Sequence, residues 1–187
     1  MANSSTSARL TGSTEESLIL TLLDLANHLT RNGGHIAREE GLTAQQWLLL
    51  LQIAGDPNFP MLGETCEAGT PVLASNIATA RGVSRPTISA LVASLVEKGL
   101  VSQAEKPGDR RQKALRATPA GMAVLARIEP ARRRANKALL AEFEAEEIEL
   151  VLRVLRSCLD ELWSQQQRFG AGASGTETET DAGKKGE

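Results

Sequence analysis

The chain has 187 residues, 41% of them hydrophobic, and a formal net charge of −2, which suits one core-forming domain with extensions. No apolar run approaches the roughly 18 residues that a membrane span needs, and the first residues, MANSSTSARLTGSTEES, lack the apolar centre of a secretory signal. Two distant cysteines, Cys66 and Cys158, form neither a disulfide framework nor a metal-binding pair. We therefore expect a cytoplasmic protein without a metal, a cofactor or a membrane contact.

The small net charge hides an uneven distribution along the chain. Residues 1–80 carry 3 Lys/Arg and 8 Asp/Glu, residues 81–134 carry 12 and 4, and residues 135–187 carry 6 and 11. The middle segment therefore has a net charge of +8, and each flank has −5. A basic segment between acidic flanks is typical of a polyanion-binding module, although a solvated basic surface would have the same composition.

The N-terminal part predicts two helices. Ser13 and Glu16 have the spacing of a capping box, and apolar residues follow at helical spacing. These residues are Leu18, Leu22, Leu25, Leu29 and Ile36. The pair Gly33-Gly34 predicts a kink or break, because each glycine costs about 1 kcal/mol against alanine inside a helix. A second helix begins at Thr43 with another capping box.

The next part predicts a pair of helices after a loop at residues 55–69, which is rich in Gly and Pro. Thr70-Pro71 predicts the start of the first, which extends to about residue 80, since Thr is a favourable N-cap and Pro suits the first turn. The stretch GVSRPTISALVASLVEKGLV at residues 82–101 predicts the second, capped by Ser84 and ended by Gly99. Its core-facing residues are Ile88, Leu91, Val92 and Leu95.

The C-terminal part predicts two short strands and two more helices. The strands, at residues 100–105 and 112–117, flank the charged turn KPGDRR. Thr118-Pro119 begins a helix that Pro130 should kink or split, because proline removes a backbone hydrogen bond. A last helix at residues 144–167 carries an apolar stripe, which needs the first helix, a second copy of the chain, or both as a partner. The stripe consists of Ile148, Leu152, Leu155, Leu159 and Leu162.

This order of elements predicts a mainly α chain of the α+β class, a winged helix-turn-helix lobe with a two-stranded wing plus a helical dimerisation region. We expect a disordered arm at residues 1–13 and N-terminal helices for dimerisation and a pocket at 14–54. The winged, DNA-binding lobe covers residues 70–117, and C-terminal dimerisation helices cover 118–168. Residues 169–187, rich in Gly, Thr and charge, predict a disordered tail.

In such a lobe the second helix of the pair enters the major groove of DNA. The groove is about 12 Å wide, so the small side chains on the polar face of this helix suit a close approach to the bases. Arg85 can pair with guanine or hold a phosphate, Thr87 and Ser89 can donate hydrogen bonds, and the helix N-terminus at Ser84 favours phosphate oxygens. An ordinary surface helix remains the alternative.

The basic turn of the predicted wing can reach the adjacent minor groove or the backbone through Arg110 and Arg111. Asp109 suits an ion pair that orients Arg111 better than a contact with DNA. A solvated hairpin is the alternative. The complete set of candidate DNA contacts is Ser84, Arg85, Pro86, Thr87, Ser89, Ala90, Ser94, Asp109, Arg110 and Arg111.

Residues 42–165 resemble the MarR family of bacterial transcription regulators. The resemblance rests on GLTAQQW at 41–47, ARGVSRPTISALVASLVEKGLV at 80–101, GDRRQKALRATPAG at 108–121, and the closing apolar helix. It implies an obligate homodimer built from the N- and C-terminal helices, and binding to a pseudo-palindromic operator in double-stranded DNA. It also implies release of that DNA when a small molecule, often aromatic or phenolic, binds between the dimer region and the DNA-binding lobe.

Candidates for the ligand pocket are His28, Arg31, His35 and Trp47. The first three share one helix face, and together with an aromatic plane they could hold an aromatic carboxylate. Surface positions for the histidines and the arginine, and a core position for Trp47, are the alternative. The chain departs from the common family pattern in its long 55–69 loop, the early helix start at Thr70, and Gly33-Gly34.

Three other functions compete with a ligand-released repressor. Cys66 or Cys158 could sense oxidants, although Glu64 and Glu67 beside Cys66 disfavour a reactive thiolate. The lobe could be a non-specific architectural DNA-binding protein, or it could serve protein contacts alone. The chain has no P-loop, no HExxH and no Gly-x-Ser-x-Gly motif, so we do not expect an enzyme.

Overall fold

The structure, a computed structural model, describes residues 12–59, 71–106 and 109–173. The chain order is α1 (Thr14–Arg38), α2 (Ala44–Ala54), β1 (Val72–Leu73), α3 (Ala74–Arg81), α4 (Arg85–Glu97), β2 (Val101–Lys106), β3 (Asp109–Ala117), α5 (Pro119–Leu139) and α6 (Ala145–Ala173). The predicted mainly α architecture with a small β-wing is confirmed. None of the described helices is long and apolar enough to cross a membrane.

Side-chain caps begin several helices where the sequence predicts them. The hydroxyl of Ser13 accepts from the backbone N–H of Glu16 at 3.1 Å. Thr43 and Gln46 form a complete capping box, with side chain to backbone distances of 3.1 Å and 2.9 Å. The Thr118 hydroxyl accepts from a backbone N–H in the first turn of α5 at 3.1 Å. Each cap satisfies an N–H group that lacks a partner inside its helix.

α1 runs without interruption through Gly33-Gly34, so the predicted break there is wrong. The reason is a close approach between α1 and α2. A Cβ atom at Gly33 would lie 2.7 Å from Cζ3 of Trp47, whereas one at Gly34 would lie 3.5 Å from Cβ of Ala44, an ordinary contact. Gly33 therefore makes room for the buried indole ring, and contact with α2 stabilises this part of α1 despite two glycines.

This pair of glycines provides a matched test of the packing. Gly33→Ala should lower the free energy of unfolding by about 1–3 kcal/mol, the usual cost of an overpacked core. Gly34→Ala should leave it unchanged or raise it by up to about 1 kcal/mol, because alanine favours the helix and meets no clash. Chemical denaturation of both variants checks this. Equal losses would show that the distance to Trp47 is not what requires glycine.

The sheet has a third strand that the sequence analysis missed. Residues 72–73 form β1 instead of the first turn of a helix, and α3 begins at Ala74. β1 pairs with β3, with Val72 opposite Leu115, and the strand order is β1-β3-β2. The side chains of Val72 and Leu115 are buried, so strand pairing buries an apolar pair while it satisfies backbone groups. Thr70, the predicted cap, lies outside the described residues.

α5 is a single helix that contains Pro130, so the predicted split is wrong. Ile128, just before the proline, is buried in the core, and Glu129 contacts Arg132 and Arg133 on the far side of it. These contacts on both sides of Pro130 offset the backbone hydrogen bond that proline cannot donate. α5 therefore continues as one helix through Pro130.

The core is built around α2, most of whose side chains are buried against α1, α4, α5 and β3. The predicted core face of α4 is confirmed, since Ile88, Val92 and Leu95 are buried and Leu91 packs against them. In contrast, α6 has no extensive contact with any other described helix or strand.

Candidate nucleic-acid interface and cavity

The exposed side of α4 carries five of the ten predicted DNA-contact residues. Arg85, Pro86, Thr87, Ser89 and Ala90 are all exposed. Because the opposite side of the helix is locked into the core, this face is held rigidly at the surface. The result is a narrow, largely small-residue ridge with one cation at its N-terminal end.

The first turn of α4 is capped by the predicted residue. Ser84 precedes the helix, and its hydroxyl accepts from the backbone N–H of Thr87 at 3.3 Å. The two hydroxyl groups of Ser84 and Thr87 also lie 2.7 Å apart. These side chains therefore order the helix start, and any contact that they make with a phosphate adds to this role.

One member of the predicted set, Ser94, does not lie on the exposed ridge. Its side chain is half-buried, and its hydroxyl accepts from Nε2 of Gln46 on α2 at 2.8 Å. Ala93 takes its place, since it is exposed and lies three and four residues after Ala90 and Ser89. Helical spacing from those two residues was the signal that could have found Ala93.

The predicted wing is present as the hairpin of β2 and β3, with Val101 opposite Ala117. Asp109 begins β3, pairs with Lys106 of β2, and is followed by Arg110 and Arg111. This places the three candidates at the turn end of the hairpin. Their side chains lie outside the described part of the chain, so their contact role stays a prediction.

Several arginines of the basic middle segment have carboxylate partners inside the molecule. Arg127 on α5 donates twice to Glu40, at 2.8 Å and 2.7 Å, and these hydrogen bonds lower the pKa of Glu40. Arg133 and Arg132 both donate to Glu129, and the hydrogen bond from Arg133 is the largest cause of its lowered pKa. The net charge of the segment therefore overstates the positive charge that is free to attract a polyanion.

A cavity of about 510 Å³ lies between α1, α2, α5 and the chain just after α2. Its apolar wall includes Ile36, Leu48 and Leu51 together with the aromatic rings of Trp47 and Phe59. Its volume falls in the range of small-molecule sites, roughly 300–1,000 Å³. The cavity thus has the size and the apolar, aromatic lining that suit a small aromatic compound.

The polar part of the cavity wall holds an ion pair. Nη2 of Arg132 lies 3.0 Å from a carboxylate oxygen of Asp56, and these side chains are 16% and 11% exposed. Asn58 donates to the same carboxylate from its backbone and its side chain, at 2.9 Å and 3.0 Å. Arg132 is the cation in the cavity lining, and it already forms an ion pair with Asp56.

The structure does not bring the four predicted ligand residues together. Trp47 lines the cavity, and its indole N–H is buried without a hydrogen-bond partner among the described residues. The other three lie on a different face of α1: Arg31 is exposed, His28 contacts Asp24 at 3.8 Å, and His35 approaches Arg38 at 3.4 Å.

The face of α1 that lines the cavity carries Leu29, Gly33 and Ile36 instead. Sequence analysis also missed Arg132, and no local pattern marked it, because α5 reaches Trp47 only through the tertiary fold.

Cys158 is a free, exposed thiol on α6. Cys66 lies outside the described residues. A redox role for either one stays a prediction.

Comparisons with known proteins agree with this geometry. The sequence model described as MarR family matches residues 40–112. A protein of Thauera aromatica, described as a transcriptional regulatory protein for the hcr operon, is 35% identical over 96 residues. That match covers 51% of this chain and 50% of the relative, so the chain spans about half the length of the relative it matches.

Solved structures share the fold at low sequence identity. A MarR protein from Peptoclostridium difficile superposes with a TM-score of 0.71 at 16% identity, over 87% of this chain and 98% of that one. CouR from Rhodococcus jostii, bound to p-coumaroyl-CoA, has a TM-score of 0.64 at 17% identity, over 80% and 96%.

The fold and the capped, exposed helix α4 define a winged helix-turn-helix protein. Within that fold, residues 40–112 are similar to the MarR family.

Proposed function

We propose that the protein is a homodimeric, sequence-specific DNA-binding regulator of transcription, a repressor that a small ligand releases from its operator in the cytoplasm. The observation that carries this proposal is α4. It is packed through Ile88, Val92 and Leu95, capped by Ser84, and presents small side chains and Arg85 outward. A rigid helix with such a face suits insertion into the major groove.

The exposed apolar surface of α1 and α6 supports the homodimer. Leu20 and Leu23 of α1 are 65% and 59% exposed, and Leu162 of α6 is 56% exposed. Many other large apolar side chains of these helices are also exposed, and monomeric proteins rarely display such extended apolar surface. A two-fold dimer would bury both helices and would present two copies of α4 to a pseudo-palindromic site.

The cavity supports release by an aromatic carboxylate or a phenol. Trp47 and Phe59 offer aromatic faces, and Arg132 offers a charged donor beside them. An anionic ligand would compete with Asp56 for Arg132. This competition would couple ligand binding to the chain just after α2, where Asp56 lies. CouR, which shares the fold, is a protein solved with an aromatic acyl-CoA bound.

The proposal is tested by fluorescence titration of the full chain against the DNA upstream of its own gene. The expected result is tight binding that exceeds binding to unrelated DNA by about 10³ or more and weakens steeply with salt. One compound from a panel of aromatic acids and phenols should release the DNA.

Equal affinity for all DNA would instead support the architectural alternative. Release by an oxidant alone would support the cysteine alternative. Absence of DNA binding would overturn the regulator proposal.

A further inference from the structure

Arg81, the last residue of α3, turns its side chain inward to the core. Its Nε–H donates to Oε1 of Gln52 on α2 at 2.8 Å. Gln52 is only 1% exposed, and it is the buried polar residue of the described core. Burial lowers the pKa of Arg81 by desolvating its guanidinium. This side chain therefore bridges the helix-turn-helix unit and the centre of the molecule.

The other contact of Arg81 leads to the cavity. Its guanidinium carbon lies 5.5 Å from the centre of the Phe59 ring, a cation–π distance. Phe59 also lines the cavity, whereas Arg81 does not. The ring therefore separates the space where a ligand would lie from the cation behind it.

Both groups that hold Arg81 are neutral. Among the described residues it makes no ion pair, so an amide oxygen and an aromatic face carry the stabilisation of this partly buried cation. Such contacts depend strongly on position, and a displaced ring would leave the guanidinium poorly solvated. A shift of Phe59 should consequently move the side chain of Arg81.

The chain that follows Arg81 leads directly into the recognition helix. Gly82 is left-handed, with φ of 60°, and Ser84 already caps α4. The turn is short and hydrogen-bonded back to α3, with Gly82 N–H to Thr79 at 3.1 Å and Val83 N–H to Ala78 at 3.1 Å. Only three residues separate Arg81 from the start of α4, so a movement of Arg81 would be transmitted to α4 through this short turn.

We propose that Arg81, held between Gln52 and Phe59, is the positioning residue through which the state of the cavity sets the position of the recognition helix α4. This inference rests on the proposed function, because it assumes that α4 binds DNA and that the cavity binds a ligand. In this proposal Phe59 contacts the ligand in the cavity, and Arg81 connects the Phe59 ring to the turn before α4.

A first experiment needs neither DNA nor ligand. Amide hydrogen exchange is measured on the full chain for the wild type, Phe59→Leu and Phe59→Tyr. The Leu variant keeps an apolar side chain but loses the ring, and exchange at Gly82 and Val83 should become at least about tenfold faster. The Tyr variant keeps the ring and should match the wild type. Unchanged exchange in the Leu variant would overturn the proposal.

A second experiment tests the coupling itself. In a Trp163→Phe background, Trp47 in the cavity wall is the remaining tryptophan of the chain. Binding of the DNA upstream of the protein's own gene should change the fluorescence of Trp47, because linkage between two sites is reciprocal. The Arg81→Gln variant should lose this fluorescence change, and the Arg81→Lys variant should retain part of it. The proposal would be overturned if Arg81→Gln kept the full fluorescence change, or if the Trp163→Phe protein bound DNA with no fluorescence change.

The two experiments separate this inference from the proposed function. If the protein binds no DNA, the regulator proposal fails, and the exchange experiment still decides whether Phe59 and Arg81 control the turn before α4.

Discussion

Replacing Leu152 and Leu159 with glutamate should make the protein monomeric and reduce its affinity for operator DNA by about 100-fold or more. These residues belong to the apolar stripe of α6, and their side chains are 44% and 38% exposed in the single chain. In a dimer they would be buried, and a buried carboxylate without a partner is strongly unfavourable. Light scattering and the DNA titration measure the two effects, which are linked because both half-sites are needed for tight binding.

The control is Ser157→Glu, which adds one glutamate at an exposed position of α6 away from the stripe. It should leave both the molar mass and the DNA affinity close to those of the wild type. A double variant that stays dimeric, or a monomer that binds DNA as tightly as the wild type, would contradict the assigned dimer surface. Circular dichroism of each variant shows whether the helices remain folded.

Arg85→Ala should weaken operator binding about 10- to 100-fold, which corresponds to the roughly 1–3 kcal/mol of a bidentate contact with a base. Arg85 is exposed at the first position of α4, so its removal disturbs no packing in the free protein. The same variant should also relax the preference for one base pair in each half-site. Titrations against a set of single-base operator variants measure both the affinity and this preference.

Arg134→Ala is the control for Arg85→Ala, because it removes an equal charge from an exposed position on α5. It should reduce the affinity little, and equally for all DNA sequences. If Arg85→Ala weakened binding uniformly and kept the base preference, Arg85 would be a phosphate contact. If both variants had the same effect, only the overall charge would matter.

Local signals predicted much of the fold correctly. Ser13, Thr43, Ser84 and Thr118 all cap helices, and Gly99 adopts the left-handed conformation with φ of 70°. A cap or a tight turn depends on atoms only a few residues apart, so its energetics are contained in a short stretch of sequence. For the same reason the spacing of apolar residues correctly identified the core face of α4.

The errors share a different cause. At Gly33 and Pro130 the local preference for a break is outweighed by packing and ion pairs with residues elsewhere in the molecule. Residues 72–73 have a helix-start signal before them, yet they pair with β3 some forty residues later. Such contacts follow from the chain path as a whole, and short-range propensities do not contain them.

The candidate sites divide in the same way. The exposed ridge of α4 follows from one helix and its periodicity, so the residue order alone identified Arg85, Ser89 and Ala90. The cavity is formed by side chains from α1, α2, α5 and the chain after α2, so Arg132 and Phe59 were found only when these elements were packed together. A helix face is a local property of the chain, whereas a cavity wall and an ion pair across it exist only after distant segments have come into contact.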